Sequence, residues 1–426
     1  MNLNDAFFML LLATAVPLLA THYLRASAFS NEFRGWVILG GLLWMAYAIF
    51  SDSFSGEMLG VWKADGWYHA QMGGYIADYM RAGKWNLVWE RMVVGNSMYQ
   101  CYVGLIMYLT GAGDTFVTAL NGWLGYWGGL VLLRHFHRVF PNARKDSPWL
   151  LLVIFCPSVI YWTTMDVKEA LMYWSICQVF ANSSPHRDSS FLVGILMMVV
   201  GIAVGSLLRP HIMIPWVVAV TAVGLFQNGQ RLYAVLTLAL LPLVLHSFQT
   251  KWGLHVSVDA SLSFAQQQAR VLEDTGGGSN FGYGAGGPTF FVSGFIALFF
   301  RPFPWQIGSL RMVLALADTW VTTALLVGST LWVVKPEGRC CLKLSEVQMA
   351  ILAGILFCVF FSYLPNEGLI VRQRVQAVPA LLALVVLPRW HRRDVQLKRQ
   401  LQLRVLLARR FAYLKWLHDS RSNLGV

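Results

Sequence analysis

The sequence predicts an all-α polytopic membrane protein of about eleven transmembrane helices, with two long loops on its outer face. Three observations carry that prediction. Of 426 residues 56% are apolar, only 13% are charged, and the apolar residues gather in bilayer-length runs. An ordinary soluble domain is about 45–50% apolar and about 25% charged. At this length it also needs a polar surface that this chain lacks. A typical cytosolic enzyme, a disordered regulator and a small disulfide scaffold are thereby excluded. The 18 Trp, 15 Tyr and 26 Phe suit well-populated membrane interfaces.

In order, the runs fall at 6–22, 36–50, 115–133, 148–163, 167–182, 190–207, 211–226, 231–247, 311–333, 347–364 and 369–388. The first is not a cleavable signal, because it lacks a basic n-region and Asp5 precedes it. Lys and Arg set the orientation. Arg134, Arg138, Arg144 and Lys145 follow the third run, and Lys335, Arg339 and Lys343 follow the ninth. Ten Lys/Arg lie between Arg389 and Val426. Placing these inside also puts Arg25 and Arg34 inside, and leaves the N-terminus periplasmic and the C-terminus cytoplasmic in a bacterial inner membrane.

The two long loops, about 51–114 and 249–310, are then periplasmic. Each holds a short apolar piece, Tyr99 to Leu109 and Phe290 to Phe300, which reads as an interfacial helix. Loops of this length beside a compact bundle are usually functional. The bundle with its loops occupies 1–388, and the remainder, 389–426, is a basic amphipathic cytoplasmic tail. Leu397, Leu401, Val405, Ala408, Ala412 and Trp416 recur there at spacings of three and four. Its basic face suits anionic lipid. The formal net charge of +12 comes largely from this tail, so nucleic acid is not indicated as a partner.

Chemistry concentrates in three places. In Trp62-Lys63-Ala64-Asp65-Gly66-Trp67-Tyr68-His69-Ala70, Asp65 can take a proton from a hydroxyl while aromatics stack on a sugar ring. His69 lies one helical turn on; the plainer reading has Asp65 capping a helix Trp67–Arg81. In Pro157-Ser158-Val159-Ile160-Tyr161-Trp162-Thr163-Thr164-Met165-Asp166-Val167-Lys168-Glu169, three charges fill a short outer connection. They suit ligand contacts, or simply a local Lys168–Glu169 or Asp166–Lys168 pair.

The third group is cationic. Arg209 and His211 flank Pro210, Arg301 opens Arg-Pro-Phe-Pro-Trp, and Arg372 and Arg374 begin the last run. Outward arginines beside apolar segments need partners. The partner is either a phosphate, whose geometry the guanidinium fork fits, or an internal acid such as Asp318, Glu367 or the hairpin carboxylates.

Other signals are weaker. Gly282-Tyr283-Gly284-Ala285-Gly286-Gly287 is formally G-x-G-x-x-G, but no strand precedes it and it lies outside, so a dinucleotide site is rejected. It reads as a pliable loop over a substrate groove. No Walker lysine motif and no regular metal-ligand spacing occur. His135 and His137 read as structural, and Cys101, Cys156, Cys177, Cys340, Cys341 and Cys358 read as small core residues, not as a disulfide framework or a zinc site.

The order of these features resembles the GT-C superfamily of polytopic glycosyltransferases, particularly members associated with bacterial surface polysaccharide. The resemblance rests on the Asp65 loop, the Pro-Ser-x-x-x-Trp turn leading to Asp166-x-Lys168-Glu169, Leu-Arg-Pro-His, Arg-Pro-Phe-Pro-Trp, and Arg372-x-Arg374 before Pro379. It spans roughly residues 36–388. It implies a polyprenyl-(di)phosphate-linked saccharide as donor and a glycan or lipid-linked acceptor, with exopolysaccharide or O-antigen-like product. Asp65 would then deprotonate the acceptor and Asp166 help orient it. His69, Lys168, Glu169, Arg209, His211, Arg301, Arg372 and Arg374 would bind substrate. No resident cofactor is implied, a divalent cation is left open, and other polysaccharide-assembly proteins are natural partners. Transferase and repeat-unit polymerase are not separated. The competing expectations are a transporter or flippase of a lipid-linked saccharide, which should show inverted repeats and mid-membrane polar groups, and an assembly subunit, which would leave the outward arginines unexplained.

Overall fold

The computed structural model describes residues 3–25, 29–54, 64–139, 147–184, 191–227, 229–252, 289–306, 310–361 and 372–423. Among them the chain is helical, with no strands. The helices are α1 Leu3–Arg25, α2 Asn31–Phe54, α3 Ala64–Arg81, α4 Trp85–Arg91, α5 Asn96–Thr110, α6 Asp114–Val139, α7 Pro148–Leu151, α8 Pro157–Thr163, α9 Glu169–Asn182, α10 Phe191–Leu208, α11 Pro210–Phe226, α12 Arg231–Trp252, α13 Thr289–Phe300, α14 Leu310–Val333, α15 Ser345–Phe361 and α16 Val378–Asn423. By length and apolarity, five stretches are fit to cross a membrane: Leu3–Leu24, Asn31–Phe50, Asp114–Val139, Phe191–Leu208 and Leu316–Val333. Shorter apolar helices occupy Pro210–Phe226, Arg231–Ser247 and Ser345–Val359.

Local chemistry explains the boundaries. Proline opens α7, α8 and α11, where its missing N–H costs no intrahelical bond. Gly111 ends α5 at φ +65°, a conformation that a side chain would strain. The apolar run 148–163 is not one helix. It breaks over residues 152–156 because Pro157 has no N–H to give and pushes Cys156 into an extended conformation. The indole N–H of Trp44 donates to the Ile154 carbonyl at 2.8 Å, so this backbone group left over by the break is satisfied.

α6 is the spine, packing against α1, α2 and α9. Beyond α9 come α10, α11, α12 and α15, and α14 and α16 pack on one another. The expected helix around Tyr99–Leu109 is α5, which lies against α3. The expected helix around Phe290–Phe300 is α13, and it packs against α15 and α14 within the bundle. Its end runs opposite to α14, since Thr319 donates to the Arg301 carbonyl and Thr323 to that of Phe299. The tail continues α16 through Pro388 as one helix, about 69 Å long for its 46 residues.

Helix directions give the bundle two distinct ends. α9 runs from Glu169 to Asn182, and just past it Ser184 accepts a bond from Gln230, which also donates to Ser345. His135 near the end of α6 faces Glu346 at 3.8 Å. The basic residues that close α6 and follow α14 therefore gather at the end opposite Glu169. Residues 253–288, with the Gly282–Gly287 loop, lie outside the described residues, as do Glu367, Arg144, Lys145, Trp62 and Lys63.

Candidate functional site at the Glu169 end of the bundle

The turn between α8 and α9 organises the site. Thr163 and Thr164 bond back to the carbonyls of Val159 and Ile160, which closes α8 and releases the chain. The turn is held from α6: Asn121 donates its amide to the Met165 carbonyl and to the Tyr99 hydroxyl, both at 2.8 Å. Thr118, one turn earlier on α6, donates to Asp166 Oδ1 at 2.6 Å. Lys168 then reaches Asn96 Oδ1 at 2.5 Å, joining the turn to α5.

Glu169 opens α9 and is fully enclosed, with 0% of its surface exposed. Its Oε1 accepts from Arg209 and from Arg372 Nε, each at 2.5 Å, and its Oε2 from Arg372 Nη2 at 3.2 Å. Arg209 is positioned by Pro210, which starts α11 directly after it. One carboxylate thus holds two guanidinium groups brought from distant segments. Internal pairing, the alternative left open from sequence, applies to these two arginines, and Glu169 is their anchor.

A second cluster joins the first through residues 372–374. Arg374 donates to the Arg301 carbonyl at 2.9 Å and to the Thr319 hydroxyl, and stands 3.6 Å from Asp318. Ser158, on α8, donates to the same Asp318 carboxylate. The Arg301 guanidinium lies over the Phe303 ring, 5.8 Å from its centre. Beside them is a small pocket lined by Cys156, Leu298, Phe299, Asp318, Thr319 and Arg374.

Each expected residue can be placed. Asp65 lies in the first turn of α3, so the helix begins before it instead of being capped by it at Trp67. Its side chain is outside the described residues. The backbone there meets the second acid: a methyl group on Gly66 would lie 3.4 Å from Asp166 Cβ. His69, one turn after Asp65, is buried with Nδ1 3.4 Å from Gln100 and its ring edge-on to Tyr99. His211 sits half-buried on the first turn of α11. The structure therefore brings Asp166, Lys168, Glu169, Arg209, Arg372 and Arg374 to one end with the start of α3.

The site is densely charged: among the described residues, Lys168, Arg209, Arg301, Arg372 and Arg374 gather with Asp166, Glu169 and Asp318, and all are buried or nearly so. Sequence reasoning did not assign roles to Asn96, Thr118, Asn121 and Ser158. Thr118 and Asn121 were visible as a polar pair three residues apart in an apolar run, and that spacing puts both on one helix face.

A further departure concerns cysteine. Cys101, Cys156, Cys177, Cys341 and Cys358 are buried, as expected of core residues, whereas Cys340 is exposed. In comparisons with known proteins the chain matches no family model, no curated protein and no solved structure.

Proposed function

We propose that the chain is a multi-pass inner-membrane glycosyltransferase, or repeat-unit polymerase, that takes a saccharide from a polyprenyl phosphate or diphosphate on the periplasmic side. The GT-C-like arrangement with about eleven spans belongs to this reading. The observation that carries it is the gathering of four arginines and Lys168 at one end of the bundle, beside Asp166 and the start of α3. In this reading guanidinium groups of that cluster hold the carrier phosphate and offset charge growing on the leaving group.

Asp65 and Asp166 supply the general base and acceptor orientation, consistent with the close approach of Gly66 to Asp166. The outer faces of α3 and α4 support a saccharide acceptor. Trp67, Tyr68, Tyr75 and Trp89 are exposed there, and Met72, Tyr75, Ile76, Tyr79 and Arg91 line an open groove. Aromatic faces of this kind stack on sugar rings. An outward site also has no access to cytoplasmic nucleotide sugars, which favours a lipid-borne donor.

The test is incubation of the purified protein with lipid-linked saccharide, the products being sized by mass spectrometry. One added sugar indicates a transferase, a ladder a polymerase. Asp65→Asn should remain folded and inserted but form no product; full activity of that variant removes Asp65 from the mechanism. A second reading, carriage of the lipid-linked saccharide without bond formation, draws support from the break between α7 and α8, because discontinuous helices commonly line transport sites. Substrate relocation with no covalent product would select it.

A further inference from the structure

Far from the arginine cluster, at the opposite end of the bundle, α14 gives way to a tight return. Its geometry depends on Gly338: a Cβ there would lie 2.1 Å from the Trp332 carbonyl oxygen, so the chain folds back on the end of α14 only without a side chain. The Lys335 carbonyl accepts from the N–H groups of Gly338 and Arg339, and the short 3₁₀ turn Arg339–Lys343 follows. The return leading into that turn is held against α16 by two contacts just after His391. Arg392 lies over the Trp332 ring at 5.7 Å, and Arg399 pairs with Glu337 at 2.9 Å.

The return brings two thiols to an imidazole fifty-one residues away. Cys340 Sγ is 3.2 Å from His391 Nε2, and one ligand atom from each of Cys340, Cys341 and His391 lies within 4.8 Å of the others. Tetrahedral zinc with Zn–S of about 2.3 Å and Zn–N of about 2.05 Å needs S···N and S···S separations of about 3.6 and 3.8 Å. The observed 3.2 Å contact and the 4.8 Å bound on the remaining separations bracket those values. Two thiolates and one imidazole are soft and borderline donors, a set that favours zinc over magnesium or calcium.

We propose that Cys340, Cys341 and His391 form a site for one Zn²⁺ that ties the 339–343 turn to α16. On binding, each thiol gives up its proton and the sulfur lone pair forms the metal bond, so two protons are released per ion and no electron moves. Water completes the tetrahedron, as in other three-ligand zinc sites. The tie fixes the point from which the long basic helix leaves the bundle. It is independent of the transferase reading, since its residues lie at the other end of the molecule.

The experiment uses the full-length protein in detergent, stripped with chelator under a phosphine reductant and then dialysed against Zn²⁺. Metal content is measured by mass spectrometry, and Co²⁺ substitution is followed through thiolate-to-metal charge-transfer absorption. The wild type should retain one equivalent and show the charge-transfer band. Cys340→Ser, at an exposed position where folding is not at stake, and His391→Ala should each bind at least tenfold more weakly and lose or diminish the band. No stoichiometric uptake by the wild type, or uptake unchanged in both monodisperse variants, overturns the site.

Discussion

Replacing Glu169 by alanine removes a carboxylate that pairs with two enclosed guanidinium groups. Both contacts at Oε1 are 2.5 Å, and the carboxylate has no exposed surface. Breaking a buried pair from one side costs about 3–5 kcal/mol, because the partner charge stays enclosed. With Arg209 and Arg372 both losing this carboxylate, the upper half of that range is expected. Glu169→Gln keeps an acceptor but not the charge, so its loss should be smaller, about 1.5–3 kcal/mol. If stranded charge is the cause, the triple variant Glu169→Leu, Arg209→Met, Arg372→Met should recover most of the lost stability, to within about 1–2 kcal/mol of wild type. The assay is reversible unfolding in mixed micelles with increasing ionic detergent, read by circular dichroism and Trp fluorescence. Glu90→Ala, on the exposed side of α4, is the control and should stay within about 0.5 kcal/mol. The reasoning fails if Glu169→Ala matches that control, or if the triple variant is no better than the single one.

Three further outcomes are expected. Asp166→Asn keeps an oxygen for Thr118 and should remain folded, while product formation falls by about 10²–10⁴-fold in the mass-spectrometric assay; more than half the wild-type rate would take Asp166 out of the chemistry. Trp44→Phe leaves the Ile154 carbonyl without its donor at the helix break and should cost about 1–3 kcal/mol in the same unfolding experiment. Gly338→Ala forces its new Cβ against the Trp332 carbonyl, so the 334–344 return should open and trypsin should cleave at Lys335, Arg339 or Lys343 faster than in wild type. Unchanged cleavage would mean that the return does not depend on glycine.

Much of the architecture can be read from local pattern. Apolar runs predict α1, α2, α6, α9, α10, α11, α12, α14 and α15 within a few residues, because hydropathy and helix length are summed over neighbours in the chain. The break before α8 was also readable, since Pro157 sits inside a run otherwise long enough to be one helix. The acids and arginines that meet at the Glu169 end could be picked out individually, because charges beside apolar runs are costly without partners.

Which group partners which could not be read this way. Arg209 and Arg372 meet Glu169 across 40 and 203 residues, and Cys340 meets His391 across 51. Such meetings depend on how each helix is rotated and which neighbours it packs against. The chain by itself therefore determined a helical membrane protein whose charges lie mostly outside its apolar runs. Only the tertiary structure decided that Glu169 binds its arginines and that a thiol pair faces an imidazole. The energy of an enclosed ion pair or ligand set depends on distances of a few ångströms, and separation along the chain does not encode them.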